Sequence, residues 1–227
     1  LLQKIVDPEF DISNEGFPFM ACGEITVCGG LRARLFRISF SGELAFEIAV
    51  PTRYGDALMR KLMEEGKEFD VTPYGTEALS VMRIEKGHAA GNELNGTTTA
   101  NNLGMGRMVS KKKDSIGSTL SERPGLNEED ALKLVGFKPV NAEHKVPAGA
   151  HLMTKGSPVD AAHDQGYITS ACYSPNLGCH IGIGYLKSGD SRLGEVVRLV
   201  SPLTGVDHDV EVVSAHFVDP EGERLRA

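Results

Sequence analysis

The sequence predicts an α+β module followed by a small β-barrel. Between residues 31 and 86, two strand-like runs are followed by two helix-like runs, the pattern of a sheet layered against helices. From about residue 131 the texture changes to short β-rich runs separated by Gly, Pro, Asn and Asp, as in a small barrel or sandwich. The composition, 41% hydrophobic and 24% charged over 227 residues, is that of a chain able to bury a core. At this length about 70–75% of the unfolded surface is buried on folding. The expected division is residues 1–130 and residues 131–227.

The elements follow in order. Residues 1–6 read as the end of an amphipathic helix. Residues 16–30 hold Gly16, Gly23, Gly29 and Gly30 around short apolar runs, which is strand-and-turn sequence. Residues 31–40 are strand-like, with a phase shift near Leu35 and Phe36 that predicts a bulge. Residues 43–50 alternate: Leu44, Phe46, Ile48 and Val50 fall on one face, Glu43, Ala45, Glu47 and Ala49 on the other. Ser41 and Gly42 supply a turn, so residues 31–50 read as a hairpin. A helix is predicted from Thr52 to Glu65, with Leu58 and Leu62 stacked and Gly66 as its stop. A second helix is predicted from about Gly75 to Lys86, stopped by Gly87. Residues 87–106 turn polar and loop-like. Residues 109–130, with Lys111–Lys113, Arg123-Pro124-Gly125 and Glu128–Asp130, read as a linker. Beyond it, β-rich runs fall at 132–138, 167–171, 180–186, 195–200 and 209–214.

Several function classes are excluded. No apolar run approaches the ~20 residues that a membrane span needs, and Asp7, Pro8 and Glu9 interrupt the first apolar patch, so no signal peptide opens the chain. A net charge of -7 argues against nucleic-acid binding. Cys22, Cys28, Cys172 and Cys179 lack zinc-knuckle spacing and read as free thiols of a cytoplasmic protein. The seven histidines show no metal-binding pair. The chain opens Leu1-Leu2-Gln3 within a helix-like run, so it is expected to be a piece of a longer polypeptide.

The residues alone offer few candidates for chemistry. Glu43 and Glu47 share a strand face with only Ala45 between them, which leaves room for a ligand or simply makes a solvated sheet face. Glu77 and Arg83 on the second helix pair with neighbours or face water. Gly182-Ile183-Gly184 and Gly104-Met105-Gly106 fail to complete a dinucleotide fingerprint. Ser170, Ser174 and His180 lack a nucleophile elbow. The Lys111–Lys113 run attracts an anionic tail or is a solvated loop.

A set of motifs adds to this reading. Phe40-Ser41-Gly42-Glu43-Leu44-Ala45-Phe46-Glu47-Ile48 is followed by Pro73-Tyr74-Gly75, then by Met82-Arg83-Ile84-Glu85-Lys86-Gly87. Gly91-Asn92-Glu93-Leu94-Asn95, Asp114-Ser115-Ile116-Gly117, Gly166-Tyr167-Ile168-Thr169-Ser170 and Ser174-Pro175-Asn176-Leu177 come after them in the same order. In sequence and order these resemble the motifs of the aminomethyltransferase family, the glycine cleavage T-protein and its relatives, over about residues 1 to 218. Residues 73–88 and Arg107 are most similar to the branch formed by the C-terminal region of sarcosine oxidase alpha subunits.

The resemblance implies a T-protein-like folate-binding module, incomplete at its N-terminus, followed by the barrel. It implies a tetrahydrofolate-dependent one-carbon transfer enzyme in which an oxidised methyl group is captured as 5,10-methylenetetrahydrofolate. FAD, FMN and NAD would belong to upstream domains or other subunits. The implied partners are folate, a small methylated-amine-derived substrate and other subunits of a hetero-oligomeric oxidase, and the fragment alone is expected to be inactive. Glu47 falls where the family binds the pterin; a carboxylate accepts from a ring N–H and an adjacent amine together, as from a guanidinium. Phe40 takes the place of the family's site-lining Tyr and lacks its hydroxyl, and Glu43 completes the expected cofactor-binding set. Leu79 stands where T-proteins carry a folate-contacting Arg, and Arg107 where they carry Trp. The family's catalytic Asp lies upstream of residue 1, so no catalytic residue is expected within the chain. The alternatives are a free-standing T-protein and a non-catalytic folate-binding or assembly domain.

Overall fold

The computed structural model describes residues 1–227. By internal contacts the chain forms two compact units, Leu1–Met82 together with Glu221–Ala227, and Arg83–Pro220.

The first unit is built on a three-stranded antiparallel sheet of β1 (Cys22–Val27), β2 (Leu31–Phe36) and β3 (Glu47–Ala49), in that order. Cys28, Gly29 and Gly30 join β1 to β2 with three successive positive φ angles. The Asp7 carboxylate closes this turn by accepting from the Gly29 and Gly30 amides, each at 2.8 Å. One sheet face carries Ile25, Val27, Ala33 and Leu35, which pack with Val6 and Ile12 into a core that Phe46 and Ile48 join at its edge. The opposite face carries Glu24, Arg32, Arg34 and Glu47, all exposed.

Helix α1 (Gly55–Glu65) follows a one-turn 3-10 segment at Thr52–Tyr54 and turns Leu58 inward. It ends at Glu65 with Gly66 as its C-cap, as expected, although the backbone stays right-handed there and runs on as a 3-10 turn to Phe69 before Asp70, at φ 52, breaks it. Gly66 is also needed for space: a Cβ would sit 2.3 Å from the Val71 side chain. Helix α2 (Thr76–Lys86) likewise ends as expected, at Gly87 with φ 76, where a Cβ would meet the Ala215 carbonyl.

Three expectations for this unit need correction. Residues 1–6 are a single 3-10 turn, Leu2–Lys4, and Val6 then bridges to Val27, so the segment extends the sheet edge. The β1–β2 register runs unbroken from Cys22↔Phe36 to Val27↔Leu31, without a bulge at Leu35 or Phe36. Residues 31–50 are a hairpin with a wide connection: β2 pairs with β3 only over Arg34↔Ala49 to Phe36↔Glu47, and residues 37–46 form a loop. The cause lies at Arg37. Strand alternation puts this side chain on the core side, where its guanidinium takes the Phe17 and Ala227 carbonyl oxygens, so the strand does not fold straight back. Leu44, beyond the short strand, is left half-exposed.

The second unit holds a closed six-stranded barrel of β4 (Leu132–Pro139), β5 (His151–Met153), β6 (Asp164–Ser174), β7 (Cys179–Lys187), β8 (Val196–Ser201) and β9 (Val206–Val213). Going round it the order is β4-β7-β6-β5-β8-β9, with β9 paired back to β4, so no sheet edge is left open. Phe137, Leu152, Ile168, Leu186, Leu199, Val210 and Val212 fill the interior. Strand β7 is buried on both sides. Its outward Ile181 and Ile183 pack with Ile84 and Ala215. Its inward Gly182 and Gly184 let β6 approach closely: a Cβ at Gly184 would lie 2.2 Å from the Tyr167 carbonyl. The Gly-x-Gly of this strand is therefore a packing device. Two short helices complete the chain, α3 (Ser118–Ser121) and α4 (Glu223–Arg226).

Candidate functional site

The expected ligand residues all lie in the first unit, in the β2–β3 loop and at its exit. Glu47 opens β3 opposite Phe36, so its side chain stands on the solvent face of the sheet, diagonal to Arg34. No hydrogen bond or ion pair engages its carboxylate among the described residues. A hollow of about 430 Å³ on this sheet is lined by Glu24, Arg32, Arg34, Ala49 and Pro51, and Glu47 is not part of its lining. Phe40 lies at the surface of the loop with its ring 39% exposed.

Glu43 differs from Glu47 in being engaged: its Oε1 accepts from Arg224 Nη1 at 3.1 Å, both side chains being half-exposed. Between Phe40 and Glu43 the loop is pinned by Gly42, at φ 87, whose amide donates to Ser39 Oγ at 3.0 Å. Glu43 and Glu47 thus do not share one strand face, since β3 begins only at Glu47.

The residue that the sequence reading passed over is Arg37. It is 2% exposed and stacks on the Phe46 ring with its guanidinium carbon 5.4 Å from the centroid. Its Nη1 donates to the Phe17 carbonyl at 3.2 Å and its Nη2 to the Ala227 carbonyl at 2.6 Å, while its Nε is buried without a partner. The period-2 pattern of residues 31–37 carried the signal, because it places Arg37 in phase with Ala33 and Leu35.

The second unit gathers polar residues of a different kind. Arg83, which the sequence left between pairing and solvent, donates from Nη1 to Glu93 Oε2 and from Nη2 to Ser170 Oγ, both at 2.8 Å. Ser170 donates in turn to Glu93 Oε1 at 2.6 Å, and the Ala90 amide donates to Glu93 Oε2 at 2.9 Å. Burial pushes the Glu93 carboxyl up, but the Ser170 hydroxyl, the Ala90 amide and the Arg83 charge outweigh it and hold the group below its ordinary value. Tyr185 donates to the Glu93 carbonyl at 2.6 Å. Nearby in the chain, the Glu85 carboxylate accepts from Ser174 Oγ and from Asn176 Nδ2, and the buried Lys86 ammonium pairs with Asp219 at 3.1 Å. Burial, with the Glu85 charge beside it, pushes the Cys172 thiol up to about 12, so it is no nucleophile.

Ser170 and Ser174 each donate to a buried carboxylate, Glu93 and Glu85, so both serve packing. The four cysteines form no disulfide. No group of three or more His, Cys, Asp or Glu side chains is placed to hold a metal ion among the described residues, and no helix is long and apolar enough to cross a membrane.

Comparisons with known proteins agree with this architecture. Residues 1–113 match the GCVT N-terminal domain and residues 133–219 match the glycine cleavage T-protein C-terminal barrel domain. The chain is 44% identical, over 99% of its own length, to a sarcosine oxidase subunit alpha of Rhizobium meliloti (strain 1021), and 40% identical over 94% of its length to that of Corynebacterium sp. (strain U-96). It spans only 23% and 22% of the length of those two relatives. It is 29% identical over 88% of its length to an aminomethyltransferase of Thermoanaerobacter sp. (strain X514), of which it spans 52%. The crystal structure of the glycine cleavage system aminomethyltransferase T from Bartonella henselae superposes with a TM-score of 0.66 over 92% of this chain and 55% of the other, at 22% identity, which shows a shared fold.

Proposed function

The chain belongs to the glycine cleavage T-protein family, in the form of the T-protein-like region of sarcosine oxidase alpha subunits, and from that premise we propose that it is the tetrahydrofolate-binding part of a larger one-carbon transfer enzyme. The observation that carries the proposal is Glu47: an exposed carboxylate with no partner, at the position where the family resemblance expects the pterin. An unengaged carboxylate on a rigid strand accepts two parallel N–H bonds without first breaking bonds of its own. Phe40, seven residues earlier in the preceding loop, offers an exposed ring, and Glu43 in the same loop offers a second carboxylate paired with Arg224. These groups suit a flat, hydrogen-bond-donating heterocycle.

Bound tetrahydrofolate would supply the amine nitrogens that take up a one-carbon unit, giving 5,10-methylenetetrahydrofolate from an oxidised methyl group. This chain's own residues would bind and orient: Glu47 by accepting from the ring edge, Phe40 by covering a face. No proton-transfer role falls to them. We assign the folate-binding role to residues 1–130 and read residues 131–227 as the barrel that accompanies it, a division that the two matched family domains support. The substrate amine, the companion subunits, flavin and nicotinamide cofactors on other parts of the enzyme, and a cytoplasmic location belong to the same proposal, as does inactivity of this region by itself. A free-standing aminomethyltransferase is the second reading. The higher identity to the oxidase subunits and Leu79 at the family's Arg position favour the first.

The test is Glu47→Gln in the intact enzyme. Loss of a charged acceptor costs about 1.5–3 kcal/mol, so tetrahydrofolate affinity should fall roughly tenfold to a hundredfold while the unfolding temperature stays put. Unchanged affinity would remove Glu47 from the site.

A further inference from the structure

Residues 221–227 pack against the rest of the first unit at three separate places. Arg224 donates to Glu43 at 3.1 Å, the Arg226 carbonyl accepts from Asn14 Nδ2 at 3.1 Å, and the Ala227 carbonyl accepts from Arg37 Nη2 at 2.6 Å. Leu225 is buried between these contacts, and Arg226 Nη1 donates back to the Glu221 carbonyl at 2.6 Å, so the segment is folded on itself.

Two of the three anchors belong to the loop of residues 37–46. Arg37 opens it and Glu43 lies past its middle, with Phe40 and Gly42 between them. Further on, Leu44 and Phe46 line a pocket of about 300 Å³ together with Leu2, Ile12, Arg37 and Ala227. A buried guanidinium needs its donors used. Arg37 has no side-chain carboxylate partner: it has the Phe17 carbonyl, the Ala227 carbonyl and the Phe46 ring. Without residues 221–227 it would keep the Phe17 hydrogen bond alone, and the start of the loop would lose the contact that holds it inward.

We infer that residues 221–227 are a strap that fixes the conformation of the 37–46 loop, with Arg37 and Arg224 as positioning residues for Phe40 and Glu43. This inference rests on the folate reading of that loop and of Glu47. An exposed ion pair such as Arg224–Glu43 contributes little to stability. Its effect here is to hold a carboxylate at one place on a loop that has no strand pairing of its own. The Arg224–Glu43 contact therefore governs ligand affinity more than folding.

The experiment uses the intact enzyme with Arg224→Glu, which opposes Glu43 with a like charge, Arg224→Lys as the conservative partner, and deletion of residues 221–227. Amide hydrogen exchange over residues 38–46, measured without folate, reads the strap directly, and tetrahydrofolate titration reads its consequence. Arg224→Glu should speed exchange in the loop and weaken tetrahydrofolate binding about fivefold. Arg224→Lys should restore both, and the deletion should exceed both. Exchange unchanged in Arg224→Glu and in the deletion overturns the strap. Faster exchange with unchanged affinity, in an enzyme where Glu47→Gln does weaken binding, overturns the positioning role and leaves the folate reading standing. Faster exchange in an enzyme that binds no tetrahydrofolate even as wild type overturns the folate reading, and the positioning role falls with it.

Discussion

Glu93 and Glu47 are the same residue type used in opposite ways. Glu93 is 0% exposed, and its two carboxylate oxygens receive Arg83, Ser170 and the Ala90 amide. Glu47 stands on an open sheet face and receives nothing from the protein. In the second unit, buried charges are brought together and hydrogen-bonded to one another, which ties residues 83–103 to β6 and β7. In the first unit a strand presents its carboxylate outward and leaves it unspent. Acidic residues, read from sequence, are equivalent. The number of donors already aimed at them separates a carboxylate committed to packing from one left open to a ligand.

The comparison breaks most visibly if Glu93 is neutralised. Glu93→Gln leaves the Arg83 guanidinium buried beside a group that no longer balances its charge, a loss of about 3–5 kcal/mol. Chemical denaturation should show that loss, with tetrahydrofolate affinity of the remaining folded protein unaltered. If Glu93→Gln left stability intact but abolished binding, the roles of the two carboxylates would have to be exchanged.

Acid acts on the same group more gently. The Glu93 carboxyl is held below the ordinary glutamate value of about 4.5 in the folded protein. Below that value the unfolded chain takes up a proton that the folded one still refuses, so folding loses stability as pH falls toward the depressed value, and the contribution is complete above about 4.5. Unfolding temperatures measured from pH 7 to pH 3 should decline on the acid side, and Glu93→Gln should flatten that decline.

The barrel was the more legible half of the fold, for a physical reason. Strands such as 132–139 and 179–187 are continuous apolar or Gly-rich runs closed off by turns, which marks them as strands even though 132–139 finds its partners, β7 and β9, far along the chain. Strand β5 escaped because His151–Met153 is too short to show a period. In the first unit the apparent alternation of residues 43–50 was half illusion: only Glu47–Ala49 pairs, since Arg37 spends its backbone on Ala21 and its side chain on the core before the loop begins. The Arg83–Glu93–Ser170 cluster was legible only as three unrelated motifs, because its members are joined by chain crossings that no local pattern encodes. Glu47 entered through the family motif. Composition and alternation could not tell it from Glu43.

Glu43 is the intermediate case and gives the smallest effect. It is neither buried and satisfied like Glu93 nor free like Glu47. It shares one exposed ion pair with Arg224, at 3.1 Å, with both partners about half in water. Such a pair is worth about 0–1 kcal/mol, because solvent screens it and two side chains give up rotamers to form it. Glu43→Gln should therefore shift the unfolding midpoint by less than about 1 kcal/mol, and the shift should shrink further in roughly 1 M salt, where charges are screened over about 3 Å. Loop geometry obeys a different scale, since even a weak tether suppresses motion in a segment with little else to hold it. Hydrogen exchange in residues 38–46 should accordingly respond to Glu43→Gln more than the unfolding midpoint does. A stability loss of several kcal/mol instead would place Glu43 with Glu93 among the structural carboxylates and leave Glu47 as the sole acidic ligand of the first unit.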